Sequence, residues 1–539
     1  MDLKIALAQI NCTVGDINGN AVKIIEAIST AQSNKADIIL FPELALCGYP
    51  PLDLVLEDEF IEANKKKINE VAKYTKDIIA IVGYVRKFEG KRWNAVAVIR
   101  NGEIVDHVHK INLPTYDVFN ELRYFSYVNN PEPVKIDIKG RSYKLGIEIC
   151  EDLWDDRYET KVTRELAKKG ADLILNANAS PFRVDKIKQR IALVREKVHE
   201  NKIPFIYNNL VGGQDELIFD GNSFAIDING DFASYLPASE EAIGYCELKN
   251  GEAVNKLPEP HPEDMEGLRT ALLLGIRDYF YKSGFKDAVI GLSGGIDSAL
   301  VAVLAAEALG KNHVYGFAMP SKFSSDHSIK DAEQLAKNLG IHFNEISVES
   351  VYESFLDSLK KQFAGTSFGL AEENLQARIR GTILMSIANK KNALVLTTGN
   401  KTEIALGYCT LYGDMCGALG PISDLNKIDV YTLSRYLNEQ YGFDLIPQNT
   451  IDKKPSAELA EDQYDPFDYE VVSPLVDELL TNKPIDELIK KTGDPELVNR
   501  ILNMIRITEY KRWQAAPGLR VTSNAFGQGR KMPLINHFK

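Results

Sequence analysis

The first half of the chain is a series of short apolar runs rich in isoleucine and valine. ADIILFPEL, DIIAIVGYV, YKLGIEIC, GADLILNAN and IPFIYNN are of this kind. Runs of this length with polar boundaries predict buried strands. Helix-period segments such as DEFIEANKKKINEVAKYT separate several of them. Asn101-Gly102 and Asn229-Gly230 lie between alternating runs, where hairpin turns are placed. The expectation for this half is a layered α/β domain with antiparallel character.

At KLPEPHPEDMEG, residues 256–267, three prolines and four acids interrupt the pattern. Such a stretch predicts a linker. The organisation expected is one domain at 1–250, a linker at 251–267 and a second domain at 268–539. In the second domain strands and helices alternate. DAVIGL, HVYGFAM and ALVLTTG have strand character, and SALVAVLAAEAL, IKDAEQLAKNL and ENLQARIRGTILMSIANKK have helix character. This alternation predicts a doubly wound, Rossmann-like parallel sheet that binds ligands beyond its strand carboxyl ends. After about residue 440 the sequence is polar and proline-containing, with no clear period.

Composition narrows the partners. The 539 residues exceed one core, and 45% hydrophobic with 26% charged is the balance of a soluble globular protein. A net charge of −13 argues against nucleic acid as partner. No signal peptide is expected from MDLKIALAQINC, and no run approaches the ~18 apolar residues that span a membrane. The six cysteines are scattered without a C-x-x-C, so no disulfide framework or zinc ribbon is expected and the placement is a reducing cytoplasm. His107 and His109 alternate on a strand and are expected to be surface residues rather than metal ligands.

Two stretches carry chemistry. GLSGGIDS, residues 291–298, joins an apolar strand to an alanine-rich helix. Gly291, Gly294 and Gly295 admit an anion close to the backbone, with a helix N-terminus behind them. Ser293 and Ser298 add hydroxyl donors. Asp297 repels phosphate unless a cation lies between, which implies Mg²⁺. The lysine of a Walker A loop is missing. The second stretch is IEICEDLW, residues 147–154, where Cys150 sits among Glu148, Glu151 and Asp152. Neighbouring acids raise a thiol pKa, so a reactive Cys150 needs a base and an oxyanion stabiliser from elsewhere in the chain. Strand alternation puts Glu148 and Cys150 on one face, unless the turn at the strand end breaks it.

The loop at 291–298 resembles the pyrophosphate loop of the ATP pyrophosphatase families. ENLQARIRG (373–381), TTGNKTE (397–403), GYCTLYGDMCGALGPISDLNK (407–427), PSAEL (455–459) and EYKRWQAAPGLRVT (509–522) are together similar to the NAD synthetase family. That resemblance implies ATP contacts at Thr398 and Lys427, with the loop residues. It implies deamido-NAD contacts at Asn374, Arg378, Glu403 and Lys511. Asp297 and Glu403 are then the metal-binding residues, and Asp414 belongs to a mobile cover over the reacting centre. Leu411 stands where ammonia-only relatives carry lysine, a contact that Lys511 or Lys427 would replace.

In the first half, FPELALCGYP (41–50), HKINLPTYDVFNELRYF (109–125) and the Cys150 stretch resemble the nitrilase, or carbon–nitrogen hydrolase, superfamily. The fold implied is an α-β-β-α sandwich. The resemblance makes Glu43 the general base, Lys110 the stabiliser of the tetrahedral intermediate and Cys150 the nucleophile. Glu121 supports the lysine, and Tyr116, Ser180 and Lys186 bind glutamine. Asp185 departs from the pattern, which has glycine before this lysine. Together the two resemblances imply an enzyme that takes ammonia from glutamine and amidates deamido-NAD to NAD, with ATP as co-substrate and Mg²⁺ as cofactor. A homo-oligomer and an internal ammonia tunnel are expected with it. The alternatives are a nitrilase-type amidase fused to another adenylating enzyme, such as one modifying tRNA, and a decayed nitrilase domain serving as a scaffold.

Overall fold

Alternation along the strands of the first half sorts its side chains between separate cores. The computed structural model describes residues 2–261, 263–456, 458–460 and 463–535. They divide into two compact units, one ending at Ala271 and one beginning at Leu272.

The first unit has a seven-stranded and a six-stranded sheet. The seven strands run, in spatial order, Glu252–Ala253, Ala242–Lys249, Asp2–Gln9, Ile38–Leu40, Ile79–Phe88, Lys91–Arg100 and Glu103–His109. Its centre is parallel, Asp2–Gln9 with Ile38–Leu40 and then Ile79–Phe88, and its flanks are antiparallel. The six strands run Phe232–Tyr235, Phe224–Ile226, Phe205–Asn209, Leu173–Asn178, Arg141–Ile149 and Val134–Ile138. Ile5 and Leu7 of one sheet pack with Ile147, Leu173 and Leu175 of the other. Ala6 and Ala8 point the opposite way, onto helices Ile17–Ser33 and Asp58–Ala72. Ile174, Phe205 and Tyr207 likewise meet helices Val162–Lys168 and Lys186–Asn201. The layers are therefore α-β-β-α. Asn101-Gly102 closes the hairpin that sets Arg100 opposite Glu103.

The segment expected as a linker carries structure at both ends. Glu252–Ala253 pairs with the free edge of Ala242–Lys249 after a turn at Gly251, and a helix starts at Asp264. The prolines at 258, 260 and 262 follow this short strand and do not interrupt it.

The second unit has a four-stranded, fully parallel sheet in the order His342–Glu345, Val314–Ala318, Ala288–Gly291, Leu394–Val395. The chain builds outward from Ala288–Gly291 on one side, then crosses to Leu394–Val395 on the other. The point where direction reverses is the ligand-binding crevice of such sheets, and the phosphate-loop sequence leaves the sheet there. The polar stretch after residue 440 folds as helices, including Tyr469–Leu480, Ile485–Thr492 and Pro495–Ile507, around Val476, Val498 and Ile501. The first and third of these start at the N-caps Asp468 and Asp494. Among the described residues no helix is long and apolar enough to cross a membrane.

Gly83 shows how tightly the first sheet carries its loops. The loop after Ile38–Leu40 lies on strand Ile79–Phe88, with Leu46 N–H donating to the Gly83 carbonyl at 3.0 Å. A Cβ at Gly83 would stand 2.4 Å from both Leu44 N and the Pro42 carbonyl. Gly83→Ala is expected to destabilise the first unit by roughly 1–3 kcal/mol, read as a lower midpoint in chemical denaturation; an unchanged midpoint contradicts this close approach.

Candidate active sites

Three strand ends bring Glu43, Lys110 and Cys150 together in the first unit. Glu43 follows strand Ile38–Leu40, Lys110 follows Glu103–His109, and Cys150 follows Arg141–Ile149. Lys110 Nζ lies 2.7 Å from Glu43 Oε1 and 2.7 Å from Glu121 Oε1, with all three side chains buried. Tyr49 OH donates to Glu121 Oε1 at 2.8 Å. Asn94 Nδ2 donates to Glu43 Oε1 at 2.7 Å and lies 3.4 Å from Glu121 Oε2.

Burial is the largest influence on each titrating group. It pushes Glu43 above the usual carboxylate range against the pull of Lys110, while Glu121 pushes it further up. It pushes the Cys150 thiol well up, and Glu43 adds to this; Lys110 and the Ala179 backbone N–H oppose it. Burial works against the Lys110 ammonium, but the two glutamates outweigh it and its pKa rises. Burial thus favours the neutral thiol at Cys150, while the two glutamates favour the ammonium at Lys110.

Cys150 has φ +46°, the left-handed region that non-glycine residues seldom enter. The chain bends here, and alternation ends. Ile147, Ile149 and Cys150 all face the core between the sheets. Glu148 does not share their face: Thr163 Oγ1 on the outer helix donates to its Oε1 at 2.6 Å.

The expected glutamine residues stand around this point. Tyr116 OH donates to Glu151 Oε1 and Oε2, both at 3.0 Å, and Tyr158 OH also donates to Oε1. Burial pushes Glu151 up to about 7. Ser180 Oγ accepts from Arg190 Nε at 3.3 Å; Arg190 is buried and doubly bonded to Asp220. Lys186 Nζ lies over the Trp154 ring, 3.6 Å from its centroid, and desolvation, then Arg190 and Arg183, lowers it to about 7. Asp185, where the pattern has glycine, has φ +65°. The position asks for a left-handed residue, and aspartate enters that region more readily than most.

In the second unit, a cavity of about 420 Å³ opens on the phosphate loop. Gly291, Ser293, Gly295, Asp297, Thr398, Glu403, Lys427, Asn374 and Lys511 line it. Gly294 and Ser298 support it from behind. Gly294 has φ +74° and a Cβ there would meet the Ser328 carbonyl at 2.3 Å. Ser298 Oγ accepts from Ser293 N and lies 3.1 Å from Ser293 Oγ. Arg378 is not among the lining residues; its Nε donates to the Leu411 carbonyl. Arg380, two residues on, lines the cavity instead. Asp414 lines it too and accepts from Thr410 N. Lys511 Nζ donates to the carbonyls of Gly407 and Cys409, both at 2.7 Å. Of PSAEL, Ala457 lies outside the described residues.

Lys427 Nζ stands between Asp297 Oδ2, at 2.5 Å, and Glu403 Oε1, at 3.1 Å. Asn400 Nδ2 donates to Asp297 Oδ1. Asp465 lines the same cavity, and its Oδ1 is buried without a hydrogen-bond partner among the described residues. No cluster of three metal-ligating side chains is preformed among the described residues. Mg²⁺ needs only one or two carboxylates when phosphates and water supply the rest. Asp297 and Glu403 fit that requirement, since Lys427 Nζ contacts one oxygen of each and both line the cavity on the phosphate loop.

Comparison with known proteins supports both halves. Residues 4–254 match the carbon-nitrogen hydrolase family and residues 268–515 the NAD synthase family. The glutamine-dependent NAD(+) synthetase of Synechocystis sp. is 43% identical, over 99% of each chain. The chain belongs to the glutamine-dependent NAD(+) synthetases. The family member from Thermotoga maritima is 41% identical, over 100% of this chain and 99% of its own. The structure of the Acinetobacter baumannii glutamine-dependent NAD+ synthetase, solved with ADP, superposes with a TM-score of 0.81 at 35% identity, covering 99% of each chain. Similarity to one family along the whole length sets aside the fusion of an amidase to a different adenylating enzyme.

Burial pushes Glu403 up to about 7, with Asp297 adding to it and Lys427 opposing. Its ionised form is therefore present above about 7 and lost as pH falls. Mg²⁺-supported ATP binding is expected to tighten from about pH 6 to about pH 8 and to lose this dependence in Glu403→Gln. Calorimetric titration reads it; the same pH dependence in both chains contradicts the role of Glu403.

Proposed function

We propose that this chain converts deamido-NAD to NAD with nitrogen from glutamine, and that the named residues divide the work. The observation that carries the reading is the buried Lys110 between Glu43 and Glu121, next to Cys150, in a chain that also holds a lysine-free phosphate loop. In the first unit Cys150 Sγ attacks the side-chain amide carbon of glutamine while Glu43 takes the thiol proton. The Lys110 ammonium faces the oxygen that becomes negative. Return of the proton to nitrogen releases ammonia and leaves a γ-glutamyl thioester, which water then cleaves with Glu43 as base. Lys186, placed on an aromatic face, offers its charge to the α-carboxylate of glutamine. Glu151 offers the opposite charge to the α-ammonium. Tyr116 and Ser180 complete that pocket, and Glu121 holds Lys110.

In the second unit a carboxylate must be made electrophilic. Oxygen of the deamido-NAD carboxylate attacks the α-phosphorus of ATP, and pyrophosphate leaves. Ammonia then displaces AMP. The loop Gly291, Ser293, Gly294, Gly295 and Ser298 receives phosphate oxygens on backbone and hydroxyl donors, with Lys427 and Thr398 facing the same cavity. Mg²⁺, when bound at Asp297 and Glu403, offsets the phosphate charge. Asn374, Arg378 and Lys511 hold the dinucleotide side, Arg378 by bracing the Leu411 backbone. The reading goes with a cytoplasmic homo-oligomer; Cys47, Cys150, Cys246, Cys409 and Cys416 are free thiols.

Cys150→Ala is expected to abolish glutamine-dependent NAD formation and to leave ammonium-dependent formation at its normal rate. Glutamine use by that variant contradicts the first half of the reading. Asp297→Ala is expected to lower formation from either nitrogen source by about 100-fold or more. Normal turnover in either assay contradicts the placement of Asp297.

A further inference from the structure

A carboxylate can act as a base through either oxygen, so the site must decide which oxygen of Glu43 meets the thiol. Both side-chain donors to Glu43 use Oε1: Lys110 Nζ at 2.7 Å and Asn94 Nδ2 at 2.7 Å. Oε2 is buried and has no hydrogen-bond partner among the described residues. Asn94 belongs to strand Lys91–Arg100 and is 1% exposed. Its backbone carbonyl accepts from Lys110 N–H at 2.9 Å, which fixes where the lysine leaves its strand. Its amide nitrogen also lies 3.4 Å from Glu121 Oε2. One residue therefore touches Glu43, Glu121 and the Lys110 backbone. The reverse amide orientation would set oxygen against two carboxylates, so the chemistry fixes Nδ2 between them.

We propose that Asn94 is the positioning residue of the glutamine-hydrolysing site, binding Glu43 through Oε1 so that Oε2 is the oxygen that takes the Cys150 proton. The proposal rests on the reading of the first unit given above. In the step it governs, the proton leaves Sγ for Oε2 as the sulfur–carbon bond forms. The carbonyl electron pair moves onto oxygen, opposite Lys110. When the carbon–nitrogen bond breaks, the proton goes from Oε2 to the departing ammonia, and the carboxylate is restored. The titratable groups that face Glu43 are Lys110, Glu121, Cys150 and Tyr49. Two carboxylates share one ammonium here. Asn94 adds a donor to the ionised form without a second positive charge, which would hold the base too far down to accept a thiol proton.

The test uses the full chain and reads glutamine-dependent kcat/KM against pH. A donor to the carboxylate holds its pKa down, so its removal raises that pKa and leaves less base at a given pH. In Asn94→Ala the ascending limb is expected to move to higher pH by about one unit or more. The plateau rate is expected to fall about ten- to a hundred-fold, with a smaller change in KM for glutamine. Asn94→Ser, which retains one shorter donor, is expected to fall between. It is read in the same way if thermal unfolding shows that the alanine chain does not fold. Ammonium-dependent synthesis is expected to be unchanged in both. An ascending limb that stays in place, with Cys150→Ala inactive on glutamine, overturns the role of Asn94 alone. Retained glutamine use in Cys150→Ala overturns the reading of the first unit on which the role rests.

Discussion

The structure of the first unit depends on keeping one ammonium ion, Lys110, out of water between two carboxylates. Taking three charged groups out of water is expensive unless geometry and further hydrogen bonds compensate. Here Glu43 and Glu121 approach to 2.7 Å, and Asn94 and Tyr49 add donors. Each partner arrives from a different strand or loop of the seven-stranded sheet, so the cluster can exist only if those strands and loops are in register. Burial next to this network raises the Cys150 thiol, with Glu43 adding to it and Lys110 opposing. The pairing of these charges and the environment of the Cys150 thiol thus draw on one buried network.

The second unit meets a different demand, since its ligands bring their own negative charge. Asp297, Glu403 and Asp465 line one cavity, with Lys427 as the ammonium between the first two. Phosphate groups entering the cavity would change this balance. In the second unit the parallel sheet directs its strand ends to one place, whereas in the first Glu43, Lys110 and Cys150 leave strand ends of two facing sheets.

Much of this was legible in the chain. Short apolar runs with polar ends marked the strands, Asn101-Gly102 marked a hairpin, and the switch from strand-rich to alternating pattern marked the second fold. The motifs around Glu43, Lys110, Cys150 and GLSGGIDS pointed to the chemistry. What the pattern did not show depends on direction and context. ARIR contains two arginines, and helix geometry alone does not say that Arg380 lines the cavity while Arg378 meets Leu411. Asn94 is the one polar residue in the apolar run 93–99 of its strand, with meaning only once Glu43 and Glu121 are near. The bend at Cys150 overrides the alternation that would join it to Glu148. Asp185 departs from glycine yet keeps the left-handed backbone, a substitution that sequence comparison alone counts as a loss. The helices after residue 440 gain stability by packing on one another, so local propensity understated them.

The account makes one chain the carrier of a nitrogen atom from glutamine to deamido-NAD. The direct measurement is to supply amide-¹⁵N glutamine, ATP, Mg²⁺ and deamido-NAD to the full chain in the presence of unlabelled ammonium, and to follow NAD and pyrophosphate by mass spectrometry. The account predicts pyrophosphate with NAD that carries the label in its carboxamide. Glutamine hydrolysis with no NAD formed, or NAD whose carboxamide nitrogen is unlabelled, would contradict it.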